Sequence, residues 1–233
     1  MSSSVPCNIP YVLKLLARNI FSKTDISKID FQKVLEGKPV PLPEFKILDV
    51  GCGFGKWAFL IRDTFEVMMG QNFSRHEWKI SVIGVEPFKK CITKVQKELY
   101  HKIIPKDIFE VLPELENYDL VILGDIIEHF EKEKAYKLLD ELFKHAENII
   151  VSTPLGFMPQ GAWADNTREI HKSGWEPEDF TRFHIVEYKI IQDELFSDII
   201  KQIPGMHEAM KNGIQVMVLW IKAYKHDTLV EED

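Results

Sequence analysis

At 233 residues, with 45% hydrophobic and 28% charged residues, the chain has the content of one large globular domain, or of one domain with an elaborated cap. A net charge of −7, from 29 basic and 36 acidic residues, and the lack of a long basic run argue against nucleic acid, whose binding relies on neutralising phosphates. Cys7, Cys52 and Cys91 are scattered and give no disulfide framework, no apolar leader opens the chain and no stretch reaches membrane-spanning length, so a cytoplasmic protein with no membrane segment is expected.

The first residues, 1–9, are small and polar and read as loose. Pro10 to Phe21 follows with helical spacing and proline in its first turn. Its apolar face suits core packing better than a lid over a substrate. Phe31 to Leu35 reads as one further helical turn. Gly37, Pro39, Pro41 and Pro43 mark a linker. An N-terminal helical extension over 1–43 is therefore expected before the main domain.

The centre of the chain is Lys46-Ile47-Leu48-Asp49-Val50-Gly51-Cys52-Gly53-Phe54-Gly55. A short apolar run ends in three glycines at every second position, and a helical pattern follows to about Met69. Strand, glycine turn and helix form the geometry that holds a nucleotide-like ligand above a strand end. Glycine turns sharply and lets the ligand approach without Cβ obstruction. A dinucleotide fingerprint would put its third glycine at position 56, where Lys56 stands, which disfavours a nicotinamide-dependent oxidoreductase.

Gly70, Asn72 and Ser74 lie in a longer connection to a strand over Ile80 to Glu86. Lys89 to Tyr100 reads as a helix. His101 to Lys106 makes a poor strand, with proline allowed only near its end. Asp107-Ile108 follows. Asp119 to Asp125 is a strong strand, Glu131 to His145 an amphipathic helix, and Asn148 to Ser152 the next strand. Alternation from 46 to 152 implies a parallel sheet with right-handed crossovers and ligands at the carboxyl ends of its strands. A long loop over 153–175, a helix over Glu176 to Arg182, strands over His184 to Ile191 and Ile214 to Tyr224, a helical insertion over 193–211 broken at Pro204-Gly205, and an acidic tail over 226–233 complete the reading.

The G-x-G-x-G after Leu48-Asp49-Val50, the acid Glu86 at the second strand end, Asp107-Ile108 at the third and Asp125-x-x-Glu128-His129 at the fourth resemble the class I methyltransferases that use S-adenosyl-L-methionine (SAM), in a small-molecule branch of unassigned substrate. The resemblance covers residues 44–152 well and the rest loosely. It implies a Rossmann-like, doubly wound α/β sheet of seven strands, mostly parallel with an antiparallel last strand, over residues 44–225. It also implies SAM as cofactor, held by Asp49, Gly51, Cys52, Gly53, Gly55, Glu86, Asp107, Ile108 and Asp125. Glu86 would take both ribose hydroxyls and Asp107 the adenine amino group. A small residue tucked under a turn is the plain reading of Cys52, and a helix N-cap that of Asp107.

Methyl transfer is an in-line displacement, so holding donor and acceptor aligned is the main task. If the acceptor is a hydroxyl, a histidine base helps, and His171 and His129 are the candidates. The loop residues Trp163, Asn166, Glu169 and Trp175 are expected to bind a small-molecule acceptor, which takes the methyl group on oxygen or nitrogen. Asp125, Glu128 and His129 have donors that suit a divalent ion, but three ligands within five positions rarely converge, and no metal is expected. A non-catalytic SAM-sensing or partner-binding module on the same fold is the alternative. The sequence does not assign the oligomeric state.

Overall fold

The computed structural model describes residues 6–25, 27, 29–202 and 213–224. Among these, strands β1 (Phe45–Val50), β2 (Ile80–Val85), β3 (Lys102–Ile104), β4 (Leu120–Gly124), β5 (Asn148–Pro154), β6 (His184–Asp193) and β7 (Ile214–Lys222) form one sheet in the order β3-β2-β1-β4-β5-β7-β6. The first five pair in parallel, and β7 runs antiparallel to both β5 and β6. This is the expected doubly wound sheet with its antiparallel last strand.

Period-two alternation sends side chains of each central strand to opposite faces. Phe45 and Ile47 of β1, with Leu120 and Ile122 of β4, join one buried cluster; Leu48, Val50, Val121 and Leu123 join the other. Helices cover both faces, which explains why these strands are continuously apolar. Helix α1 (Ile9–Phe21) buries Val12, Leu15, Leu16 and Ile20 in the first cluster. Tyr11 Oη donates to Glu187 Oε1 of β6 at 2.7 Å, and Lys14 pairs with the same carboxylate. Thus α1 is a core helix; α2 (Phe31–Leu35) is the further helical turn, and α6 (Lys132–Leu142) is the amphipathic helix between β4 and β5.

Several boundaries differ from the sequence reading. Pro6–Asn8 is a 3₁₀ turn and Asn8 is fully buried, so this part of the N-terminal segment is anchored. The helix after the glycine turn is α-helical only over α3 (Lys56–Ile61) and continues as a π-helix over Arg62–Met69. There Arg62 Nη1 donates to the Ile80 carbonyl at 2.6 Å and Glu66 Oε1 accepts the Ile80 N–H at 2.6 Å, tying this segment to the start of β2. The expected helix over 89–100 is a 3₁₀ turn at Lys89–Cys91 followed by a short α4 (Lys94–Leu99). It is restarted by a Thr93–Gln96 capping box, which the T-x-x-Q spacing encodes. Of the insertion, α7 (Glu194–Lys201) is described. The Pro204-Gly205 break and the acidic tail lie outside the described residues.

Candidate active site

The cleft lies over the carboxyl ends of β1, β2, β3 and β4. It is lined by Gly51, Gly53, Glu86, Asp107 and Ile108, and also by His129, Asn166 and Glu169. Gly51 (φ +67°) and Gly53 (φ +49°) are left-handed. Gly51 N–H donates to the Val85 carbonyl at 2.8 Å, which ties the turn to the end of β2. The left-handed φ of Gly51 favours glycine, and an added Cβ would also displace the tip of the Ile126 side chain that lines the cleft.

Glu86 follows β2. Its Oε2 accepts Gly53 N–H at 2.9 Å and its Oε1 accepts Phe88 N–H at 2.7 Å. Burial pushes its carboxyl pKa up, and the two amides oppose that shift. A carboxylate offers about four lone-pair sites, so two amides leave each oxygen able to accept once more. Asp107 N-caps helix α5 (Ile108–Val111) through Phe109 N–H at 3.1 Å, as the plain reading held, and also pairs with Arg168. The apolar side chains of Val50, Phe88, Ile108, Ile126 and Phe130 wall the cleft between these carboxylates. An apolar slot with carboxylates in its lining, beside two glycines without Cβ atoms, fits an adenine, a ribose and a short amino-acid chain.

On the loop, Asn166 Nδ2 donates to Glu169 Oε1 at 3.1 Å and Asn166 Oδ1 accepts Arg168 N–H at 3.2 Å. Arg168, Lys134 and Lys172 also line the cleft. The sequence reading missed all three, because Arg168 and Lys172 reach the cleft only through the fold of the 153–175 loop and Lys134 reaches it from the helix Lys132–Leu142. His129 belongs to the 3₁₀ turn Ile127–His129 after β4. Its pKa is lowered to about 4 by burial first and by the neighbouring His171 second, so the ring is neutral.

Not every expected residue reaches the cleft. Strand alternation turns Asp49 to the face of Ile47. There it is wholly buried, accepts Tyr100 Oη at 2.6 Å, and has its pKa pushed up to about 7 by burial. Cys52 is buried beneath the turn and its thiol pKa is raised, mainly by burial. A Cβ on Gly55 would press on Gln96 and Tyr100. Asp125 (φ +56°) accepts Ser152 Oγ at 3.0 Å; Ser152 accepts Asn8 Nδ2 at 2.7 Å, and Asn8 Oδ1 accepts Lys56 Nζ at 3.2 Å. This polar chain holds the anchored N-terminal turn, and Asp125 serves it instead of lining the cleft.

The loop behaves similarly. Trp163 is 48% exposed and outside the cleft lining. Trp175 is fully buried, packed edge-on against Tyr136 and tilted against Phe180, with Nε1–H donating to Ser173 Oγ at 2.9 Å. It is a core residue and cannot touch an acceptor. His171 sits behind His129, ring centroids 4.9 Å apart, with Nδ1 2.6 Å from the Met158 carbonyl. His129, not His171, therefore faces the cleft.

A family model described as a methyltransferase domain matches residues 11–186. No curated protein matches the chain. Among solved structures, the cyclopropane synthase MmaA2 of Mycobacterium tuberculosis is 14% identical, with 87% of each chain covered and a TM-score of 0.53. A cyclopropane-fatty-acyl-phospholipid synthase-like protein of Lactobacillus casei is also 14% identical, with 82% of this chain and 88% of that one covered and a TM-score of 0.51. At these identities the likeness is one of fold. No helix among the described residues is long and apolar enough to cross a membrane.

Proposed function

We infer the reaction from a premise that is itself shown: the chain belongs to the methyltransferase-domain family, class I enzymes for which SAM is the cofactor. On it we propose transfer of a methyl group to oxygen or nitrogen of a small-molecule acceptor, in the cytoplasm. One observation carries the reading. A single cleft brings the Gly51–Gly53 turn and the Glu86 and Asp107 carboxylates together with the polar side chains of His129, Asn166 and Glu169.

When bound, SAM supplies an electrophilic methyl on a sulfonium. The residues of this chain do the rest. Gly51 and Gly53 let a ligand lie against the backbone. The free acceptor sites on Glu86 take ribose hydroxyls, and Ile108 and Phe88 flank the base beside Asp107. Asn166 and Glu169 fix the acceptor over the ends of β4 and β5, and His129 presents a neutral imidazole to it. Alignment of this kind supplies about 7–11 kcal/mol of a bimolecular barrier.

The test is a titration with S-adenosylhomocysteine (SAH), followed by turnover of labelled SAM against hydroxyl and amine acceptors. SAH binding with methylation of at least one acceptor class is expected. SAH binding with no turnover across both classes would favour the non-catalytic sensing module, and a thermal shift with NAD but none with SAH would overturn the reading.

A further inference from the structure

Beside the cleft, Glu128, His129 and His171 are all buried, and each offers one ligand atom within 4.8 Å of those of the other two. They converge from two segments. Glu128 and His129 end the turn after β4, and His171 returns on the loop after β5. That loop is fixed to the turn by its backbone: the N–H groups of Lys172 and Ser173 donate to the Glu128 carbonyl at 2.8 and 3.2 Å.

Two polar atoms of this cluster have no hydrogen-bond partner, Glu128 Oε1 and His129 Nδ1, on side chains of residues only 2% and 8% exposed. A buried polar atom without a partner costs about 1–3 kcal/mol, and more when it is charged. The other ends of the cluster are satisfied in a specific way. Thr153 Oγ1 donates to Glu128 Oε2 at 3.0 Å, and the Met158 carbonyl holds His171 Nδ1 at 2.6 Å, which leaves Nε2 of that ring with its lone pair. Ligands whose far atoms are fixed by hydroxyls and carbonyls, with near atoms bare, are arranged as metal ligands are.

We propose that Glu128, His129 and His171 bind a first-row divalent transition cation, of the class of zinc or cobalt. Two imidazoles and one carboxylate suit such an ion and leave a coordination position open, whereas magnesium and calcium call for more oxygens. Asp125, which the sequence groups with Glu128 and His129, is not part of the set: its place is taken by His171, 46 residues further along the chain than Asp125. Because His129 also lines the cleft, the cation would lie next to the space that the acceptor occupies. An acceptor hydroxyl beside such a cation would lose its proton to solvent more readily, and as its oxygen bonds to the methyl group the methyl–sulfonium bond would break and SAH would leave. This role rests on the methyl-transfer reading; cation binding does not.

The test uses the full chain, treated with a chelator and dialysed. Cobalt(II) is titrated in without SAM or acceptor, read by visible absorption and by ¹⁵N-imidazole NMR. One equivalent should bind, with the visible bands of a low-coordinate site and paramagnetic loss of the His129 and His171 signals first. Zinc should displace cobalt and raise the melting temperature. Glu128→Gln and His171→Gln should each weaken cobalt binding by roughly tenfold or more, while exposed His184→Gln should not. Absence of saturable binding to the unsubstituted chain, or loss of other histidine signals before these two, would overturn the site whether or not the variants fold. Saturable binding without methyl transfer would keep the site and remove the acceptor role.

Discussion

Glu86 Oε2 accepts the N–H of Gly53 at 2.9 Å, so the carboxylate that follows β2 also holds the glycine turn that follows β1. The strand-end acid is part of the loop it serves. Its second oxygen accepts the N–H of Phe88, which also lines the cleft.

Removing that carboxylate therefore has two effects. Glu86→Ala should weaken SAH binding by roughly ten- to a hundredfold, the size expected for charged hydrogen bonds of about 1.5–3 kcal/mol. It should also lower the melting temperature, since two amide donors lose their acceptor. Glu86→Gln keeps one good acceptor and should fall between. Calorimetry with SAH on the three proteins measures both effects, and unchanged affinity in the alanine variant would return Glu86 to a purely structural role.

The parts of this site that were legible in the sequence are those fixed by local pattern and strand-end position: Gly51, Gly53, Glu86, Asp107 and Ile108 all line the cleft. Asp49 and Asp125 were not legible, because a shift of one position along a strand reverses the face, and the chain Lys56–Asn8–Ser152–Asp125 depends on contacts across 144 residues. Trp175 looked like an acceptor contact because its loop is long and aromatic. Only the tertiary return of that loop reveals that Trp175 fills the core beside Phe180. The Thr93–Gln96 restart of α4 is encoded locally in its T-x-x-Q spacing.

Gly51→Ala tests the turn. The new Cβ meets Ile126 Cδ1 at a residue of φ +67°, so it adds a clash to the about 1–2 kcal/mol of left-handed strain. Gly37→Ala is the control, with a similar φ of +78° and nothing within 4 Å of the added Cβ. Chemical denaturation should show the larger loss for Gly51→Ala, and only that variant should lose SAH binding. Equal losses and intact binding in both would mean that the turn does not shape the cofactor site.

Arg168 of the loop pairs with Asp107 across the mouth of the cleft. The pair is largely exposed on the arginine side, so its contribution to stability is small, within about 1 kcal/mol. Its consequence is kinetic. Arg168→Ala should leave the melting temperature nearly unchanged, because Asp107 keeps its cap on Phe109, but should speed SAH release several-fold in stopped-flow fluorescence. A release rate equal to that of the unsubstituted protein would show that the pair does not close the cleft.

Asp49 sets a pH dependence of stability. Its carboxyl is wholly buried, and burial raises its pKa from 3.8 to about 7, partly offset by the hydroxyl of Tyr100 and reinforced by Glu86. Because the folded pKa lies above the unfolded one, the folded chain holds the proton that the unfolded chain releases. The stabilisation is fully present below about pH 4 and is lost as pH rises through about 7. Over that window the shift corresponds to about 4 kcal/mol, an upper figure for a group this buried. Asp49→Asn can still accept Tyr100 Oη and has no proton to lose. The difference in unfolding free energy between pH 5 and pH 8 should therefore be smaller in Asp49→Asn than in the unsubstituted protein, whatever the absolute stability of the variant. Urea denaturation at the two pH values gives that difference directly, and identical pH dependence in the two proteins would mean that Asp49 titrates as an ordinary carboxylate despite its burial.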